Sequence, residues 1–517
     1  MSQVAVSPNK TIARNTIFLY VRMIVTTVIS LYTSRALLQT LGVEDFGLYG
    51  LIGGIVAMFA SFKSMFTIAT QRFLNIEIGN GNAYELNKVF NVSVLVNVLI
   101  AVVFFIIVEI AGLWLLGHKL HIEPERLSTA NWLFQISVVA SLVQIFNVPY
   151  EADIIAREKM NVFATVTIFD AVAKLLIVLI LPLFKNNQLI IYGILLCVVI
   201  CVNLCINMVY CHLKFTESHF HRFSLLEIRA KFKEMFTFSS WAFFGNIVFA
   251  LVHEGVNILL NVFGNLAANA ARTITYQVRS ALSNVVSNVY VAIKPQAIQS
   301  YAKLDVGRFY SLMFTGGKIV GYMYILMAIP LYFSLNEVIH LWLGNVPEYV
   351  EAFISASLVY QFVRVLHESV DVFFVTIGRL KEYQITEFFV QGATLPLSYI
   401  GLSLFNMPLY GVFLLMAFCE LINLIVILLL AKKIGNFDVN NYLKSVVSPY
   451  VLMTMISFCC VFLIKWIFSR IAFSVTLKAI IFVAIAVLMQ LLILYYLGLT
   501  KDEKRLFLTM INQFKRR

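Results

Sequence analysis

The sequence is poor in charge. Only 13% of its 517 residues are Asp, Glu, Lys or Arg, about half the roughly 25% of a soluble globular domain. That scarcity excludes an ordinary water-facing surface. The chain also lacks a disulfide framework. Its seven cysteines include Cys197, Cys201 and Cys205, four apart along one apolar stretch, and the adjacent Cys459 and Cys460. Thiols in such places behave as small hydrophobes, and no His or carboxylate joins them, so neither a metal nor a cofactor is expected. There is no Gly-Lys-Ser/Thr phosphate loop and no nucleophile–base constellation, which argues against ATP hydrolysis and against an enzyme. Lys10 and Arg14 precede an apolar stretch as in a signal peptide, but that stretch runs to Leu38 with Arg22 inside and no small-residue cleavage site. It reads as a retained first helix.

What the sequence has is hydrocarbon. Hydrophobic residues make up 60%, the mean hydropathy is +0.86, and the apolar residues come in long blocks. A spanning helix needs about 20 mostly apolar residues. Spans are expected near 15–38, 47–70, 89–116, 129–149, 160–184, 189–212, 237–263, 270–295, 310–334, 349–376, 384–404, 409–431, 443–468 and 475–498. The expected fold class is therefore an all-α integral membrane protein of about fourteen transmembrane helices, with membrane lipids as its surroundings.

The net charge of +12 would suggest nucleic acid in a soluble protein. Here it follows from topology, because Lys and Arg collect on the cytoplasmic side of membranes. With the N-terminus inside, the cytoplasmic segments hold about 24 basic residues, among them Arg157, Lys159, Arg229, Lys231, Lys233 and the tail Lys501–Arg517. The opposite loops hold Lys119, Arg126, Lys185 and Arg470, a total of 4. Both termini are thus expected in the cytoplasm, and no nucleic-acid partner is expected.

The longest basic loop, 213–236, falls between spans six and seven. It divides the chain into 1–236, an N-terminal lobe, 237–440, a C-terminal lobe, and 441–517, a final helix pair with a basic tail. A faint repeat agrees: Leu37-Leu38-Gln39-Thr40-Leu41-Gly42 matches Leu259-Leu260-Asn261-Val262-Phe263-Gly264. Repeats around a midplane site are how many transporters are built.

About a dozen ionisable residues lie inside the expected spans: Arg22, Lys63, Asp170, Lys174, Glu254, Arg272, Arg279, Lys318, Arg364, Glu368, Asp371, Glu387 and Glu420. Exposing all of them to lipid would cost on the order of 30–40 kcal/mol, against a folding stability of about 5–15 kcal/mol. Helical spacing puts them on stripes. Span one carries Asn15, Arg22, Thr26 and Thr33, and span two Lys63 and Thr67. Span seven carries Asn246, His253, Asn257 and Asn261 with Glu254 alongside, and span eight Arg272, Tyr276, Arg279 and Ser283. These four spans are equivalent pairs of the two halves and are expected to line one cationic cavity. Arg22, Lys63, Arg272, Arg279 and Asn257 are its candidate substrate ligands. Two clusters are mixed in sign: Asp170 with Lys174, and Gln361, Arg364, His367, Glu368 and Asp371, where Arg364 can reach Glu368 at i,i+4. With Glu254, these are either helix-locking charges or sites for a coupling proton or Na+. His118-x-x-His121-x-Glu123 reads as a solvated loop.

The run Ser34-Arg35-Ala36-Leu37-Leu38-Gln39-Thr40-Leu41-Gly42-Val43-Glu44-Asp45-Phe46-Gly47-Leu48-Tyr49-Gly50 resembles the R-x-L-G-x-x-x-[FY]-G-x-[FY] pattern that ends the first helix of polysaccharide flippases. These are the Wzx-like oligosaccharide-lipid transporters of the multidrug/oligosaccharidyl-lipid/polysaccharide (MOP) superfamily. The resemblance implies a two-lobed, MOP/MATE-like fold in a bacterial cytoplasmic (inner) membrane. It implies a flippase that moves an undecaprenyl-pyrophosphate-linked oligosaccharide to the periplasmic leaflet by alternating access. The product would feed surface polysaccharide: O-antigen of lipopolysaccharide, capsule or exopolysaccharide, with polysaccharide assembly proteins as possible partners. Arg22, Arg272 and Arg279 suit a pyrophosphate, because guanidinium matches phosphate oxygens bidentately. A MATE-like small-molecule exporter is the alternative, although an exporter of cations would want acidic spans. A membrane-embedded polysaccharide polymerase or transferase is a further one, although every expected external loop is short.

Overall fold

The computed structural model describes the backbone of residues 8–500 and 504, apart from 121, 158, 220, 222, 303 and 471–474; side chains are described outside 8–21, 57–69, 236–249 and scattered further helical positions. The basic tail 505–517 lies outside the described residues. Among the described residues all regular structure is helical, in the order α1 (Pro8–Asn80), α2 (Ala83–His118), α3 (Pro124–Ala156), α4 (Met160–Ile180), α5 (Gln188–Lys214), α6 (Leu225–Val262), α7 (Leu266–Ala302), α8 (Val306–Phe333), α9 (Leu335–Leu343), α10 (Val350–Ile377), α11 (Leu380–Gly392), α12 (Thr394–Leu404), α13 (Gly411–Gly435), α14 (Val439–Tyr442), α15 (Ser448–Ser469) and α16 (Val475–Ile493).

Eight stretches are long and apolar enough to cross a membrane, among them α2, α3, α5, α8 and α13. Their outward faces are hydrocarbon: Ile110 is 70% exposed, Leu183 78% and Leu488 62%. No contiguous apolar surface of this extent is stable in water, so the chain is a multi-pass membrane protein. α10, with Arg364, Glu368 and Asp371 in mid-helix, is not among the eight.

Local chemistry accounts for the departures from the expected spans. The first two spans form one continuous element, α1, interrupted at Gly42, whose φ of 77° and ψ of 174° suit glycine alone. The eleventh span is divided into α11 and α12 at Ala393, where Gly392 and Pro396 flank the break. Pro396 sits in the first turn of α12, where a missing N–H is tolerated. The thirteenth opens with a π-helical turn, Leu443–Val447, just before Pro449. The amphipathic α9 has no counterpart among the expected spans.

By packing, the chain forms two units: residues 1–274 with 398–409, and residues 275–397 with 410–517. This is a different partition from the one expected from loops and repeats, 1–236, 237–440 and 441–517. In the first unit, α6 packs on α1 and so groups with the N-terminal helices. The same unit has one core cluster around Leu48, Ile52, Phe104, Val108, Leu133 and Phe134. A second surrounds Phe73, Phe90, Tyr150, Ile154 and Met235. Glycines permit the close approach. A Cβ on Gly47 would collide with the Leu266 carbonyl, one on Gly50 with the Thr273 hydroxyl, and one on Gly54 would lie 2.6 Å from Glu254 Oε2. Small residues at such contacts let membrane helices pack backbone to backbone.

In the second unit, α10 is held by three tyrosine hydroxyls that donate to its carbonyls one turn apart. Tyr324 reaches Leu358 O at 2.6 Å, Tyr450 reaches Phe362 O at 3.2 Å, and Tyr442 reaches Leu366 O at 2.6 Å. α15 and α16 pack on α8, where Gly321 makes room for the Tyr450 ring. The final pair is therefore part of this unit by packing.

Candidate functional site

The first unit contains a buried polar seam where α1, α6 and α7 meet. Asn257 Nδ2 donates to Gly50 O at 3.0 Å, and Asn269 Nδ2 donates to Asn257 O and Oδ1, each at 2.8 Å. Asn261 Nδ2 donates to Asn269 Oδ1 at 3.1 Å, and all three asparagines are 0% exposed. Arg272 donates to His253 O at 2.5 Å and pairs with Glu254 at 3.1 Å. In this arrangement Arg272 is paired with Glu254, and Asn257 holds α1 to α6 and α7. The sequence placed Glu254 and Arg272 in separate roles because seventeen intervening residues say nothing of which faces meet.

The stripe on α1 is also partly internal. Thr26 Oγ1 donates to Arg22 O at 2.8 Å and Thr33 Oγ1 to Ile29 O at 2.8 Å, so these hydroxyls bond back to their own helix. The Arg22 guanidinium lies 4.8 Å from the Phe163 ring centre. The Lys63 side chain lies outside the described residues. Asp170 and Lys174 do pair, at 2.7 Å, and Asn203 of α5 donates to Asp170 at 2.9 Å, tying α4 to α5.

The second unit holds the densest charge cluster, built from α10, α11 and α13. Arg364 reaches Glu387 at 3.1 Å, Glu420 at 3.3 Å and Asp371 at 3.4 Å. His367, fully buried, lies 2.7 Å from Glu420 and 3.3 Å from Asp371. Tyr383 donates to Asp371 and Gln391 to Glu420. The expected Arg364–Glu368 pair does not form among the described residues; Arg364 turns instead to Asp371 of its own helix and to Glu387 of α11 and Glu420 of α13, three carboxylates that together offer a deeper potential than one i,i+4 partner. Three carboxylates against one guanidinium leave a formal charge of −2 with neutral His367, and −1 with it protonated. Such an acidic excess can hold a proton or a small cation, and it locks three helices together.

Arg279, the remaining candidate cation, is 9% exposed and lies within 5.1 Å of the Tyr276 ring centre and 5.4 Å of the Tyr360 ring centre. The sequence reading passed over Tyr383 and Gln391, whose roles depend on which helix faces α10. It also passed over Glu109 in α2, whose Oε2 accepts from Gln135 at 3.1 Å; the signal available was a lone carboxyl within the apolar stretch 89–116.

The motif around Gly42 proves to be a folding signature. Gly42 breaks α1, Glu44 and Asp45 pair with Arg126 of α3, Phe46 is core, and Gly47 and Gly50 admit α7.

No protein-family model matches the chain, and no curated protein matches it. Solved structures do. A lipid II flippase, MurJ in an inward closed conformation, matches with a TM-score of 0.66 at 14% identity over 93% of this chain and 99% of that one. A multidrug resistance MATE family transporter of the MOP superfamily in an inward-facing conformation matches with 0.64 at 14% identity over 81% and 97%. A MOP superfamily transporter from Pyrococcus furiosus, described as having a binding pocket of reverse polarity, matches with 0.57 at 15% identity over 82% and 95%. The fold is that of the MOP-superfamily transporters and flippases.

Proposed function

We propose that the chain is a flippase for a lipid-linked oligosaccharide, carrying it on an undecaprenyl pyrophosphate anchor across a bacterial inner membrane for surface polysaccharide synthesis. The observation that carries the reading is the likeness to a lipid flippase along 93% of the chain, against the 81% shared with the multidrug transporter. The motif at Ser34–Gly50 supports it. In this reading fourteen helices span the membrane as two pseudo-symmetric lobes and a final pair, with both termini in the cytoplasm. Arg279 contacts the pyrophosphate, with Arg22 and Lys63 as further cations of the path. Arg272 contributes once Glu254 releases it, and Asn257 assists. Asp371, Glu387 and Glu420 around Arg364 are candidates for a coupling proton or Na+, with Glu368, Asp170 and Lys174 as further charges of that kind.

A MATE-like exporter is the second reading, favoured by the match to multidrug transporters and by the acidic excess around Arg364. Deleting the gene separates the two. A flippase loss leaves a lipid-linked oligosaccharide accumulating on the cytoplasmic leaflet and removes a surface polysaccharide. An exporter loss changes sensitivity to lipophilic cations with surface glycans intact, and that outcome would overturn the proposal.

A further inference from the structure

α10 is gripped on one face and charged on the other. At about 100° per residue, Leu358, Phe362 and Leu366 fall together, while Arg364, His367 and Asp371 centre on the opposite side. The first three lend their carbonyls to tyrosine hydroxyls from three elements: Tyr324 of α8 at 2.6 Å, Tyr450 of α15 at 3.2 Å and Tyr442 of α14 at 2.6 Å. Tyr442 and Tyr450 are fully buried. Leu366 O belongs to the peptide that joins Leu366 to His367, so Tyr442 holds the backbone from which the His367 ring departs. Ser369 Oγ reaches the same carbonyl at 3.1 Å and the Tyr442 hydroxyl at 3.3 Å.

The terminal element is shaped for this grip. Tyr442 and Tyr450 are eight residues apart, which on an unbroken α-helix turns them about 80° from each other. The π-helical turn Leu443–Val447 lies between them. It takes up one residue more than an α-helical turn, which leaves the two rings within about 20° of one face. α8 makes the matching space: a Cβ on Gly321 would stand 2.6 Å from the Tyr450 ring, and one on Gly317 3.1 Å from Ser369 Cβ and 3.2 Å from Val446. A helix needs none of these bonds for itself, because its carbonyls already accept from the N–H four residues on. Three of them along one face fix what a single bond does not, the rotation and the depth of α10.

We infer that Tyr442 and Tyr450 are positioning residues for the charge cluster on the far face of α10. Through them the terminal element α14–α15 holds Arg364, His367 and Asp371 in register with Glu387 of α11 and Glu420 of α13, where the ion pairs measure 2.7–3.4 Å. Among the described residues neither hydroxyl bonds to a charged group of the cluster; each bonds to the backbone that carries it. A site of this kind works only when its groups are held to about 0.5 Å, so a shift of α10 changes its affinity for an ion. This rests on the coupling role proposed for the cluster.

The test follows thermal unfolding of the full chain in lipid nanodiscs, against pH and against sodium chloride with choline chloride as the control. The proton and Na+ are the two probes. The height of each curve reports stability, and its midpoint reports ion affinity, because an ion that binds the folded state raises the melt by mass action. Tyr442→Phe and Tyr450→Phe keep the rings and remove the hydroxyls. Each is expected to lower the melt slightly and to move the midpoint about threefold in ion concentration, or about half a pH unit; the two together move it further. Gln490→Leu, which removes a hydrogen bond from α16 to Ile325 O of α8, is the structural control: its melt falls and its midpoint stays. If the tyrosine variants melt lower but keep the parent's midpoint, the inference is overturned while the coupling role stands. If the parent responds to neither ion, or its response survives in Asp371→Asn/Glu420→Gln, the coupling role itself falls. Should Tyr442→Phe not fold, Tyr450→Phe carries the test alone, and Glu387→Gln replaces the double variant if that one fails to fold.

Discussion

Arg279 and Arg364 show what an intramembrane charge requires. Each guanidinium is too costly to leave in hydrocarbon; the Arg279 guanidinium lies against the Tyr276 and Tyr360 rings, and Arg364 meets three carboxylates. Substitutions should separate the two. Arg279→Ala is expected to lower flipping by about one to two orders of magnitude, since hydrogen bonds to charged groups are worth about 1.5–3 kcal/mol and ~1.4 kcal/mol is tenfold. Arg279→Lys should be intermediate, because charge survives and the bidentate fork does not. Arg279→Glu should be worst. Surface polysaccharide and accumulated precursor, normalised to protein in the membrane, provide the measurement; wild-type export by the Glu variant would remove phosphate handling from this residue. Arg364→Gln should act on stability instead. It leaves Asp371, Glu387 and Glu420 without their shared cation, a loss of about 3–5 kcal/mol for a broken buried pair. A large drop in the unfolding temperature in detergent is the expected result, with partial recovery when Glu420→Gln is added. An unchanged melt would mean the cluster does not lock α10 to α11 and α13.

At the scale of elements, α1 shows a sequence motif acting through backbone geometry. Gly42, Gly47 and Gly50 mark a family-like signature, and all three act on backbone geometry. Gly47→Val should destabilise the fold by about 1–3 kcal/mol or more, the usual range for forcing atoms into a packed contact, because α7 backbone occupies the space. Gly53→Ala is the control: a Cβ there meets nothing within 4 Å, and alanine favours a helix by about 1 kcal/mol. Thermal unfolding of the two variants should move in opposite directions. The connection between α5 and α6 is a second case. Arg157 pairs with Asp153 at 2.9 Å and Glu217 at 3.1 Å, while Asn87 donates to the Glu217 and His219 carbonyls at 2.5 and 2.8 Å. Burial pushes the Glu217 carboxyl up, but a main-chain hydrogen bond and Arg157 outweigh it and hold the group below the usual carboxylate range. A depressed folded value means the contribution is present above the unfolded value and is lost as pH falls through the folded one. Amide protection in 215–224, taken relative to the intrinsic exchange rate at each pH, should therefore be high at neutral pH and fall on acidification below the ordinary carboxylate range. Glu217→Gln should show fast exchange already at neutral pH. Equal exchange in the variant and the parent would show that Arg157 and Glu217 do not order this segment.

For the whole molecule, the distribution of basic residues leads to a prediction of orientation. Reporter fusions should find the segment around Arg229 and the end at Arg517 in the cytoplasm, and the segments around Glu123 and Glu348 outside. Labelling of Glu348 from the cytoplasmic side would break the pairing of α8 with α10 and the fourteen-span reading with it. The helices themselves were legible because hydrocarbon imposes a one-dimensional rule: about 20 apolar residues make a span wherever they occur. Each expected span falls on a helix, and the breaks at Gly42, Ala393 and the turn before Pro449 follow from residues that cannot continue one.

The candidate site was legible only in part. Sequence alone determined which side chains are ionisable and intramembrane, and helical periodicity put Tyr276 with Arg279, Asp170 with Lys174, and Arg364 with His367 and Asp371, because neighbours on one face are set by 3.6 residues per turn. It did not determine partners across helices. That Arg272 answers to Glu254, that Arg364 prefers Glu387 and Glu420 to Glu368, and that Tyr360 meets Arg279 were decided by tertiary structure. The physical reason is that periodicity fixes a face on one helix, while the energy of a buried charge depends on what the facing helix brings within about 4 Å of it.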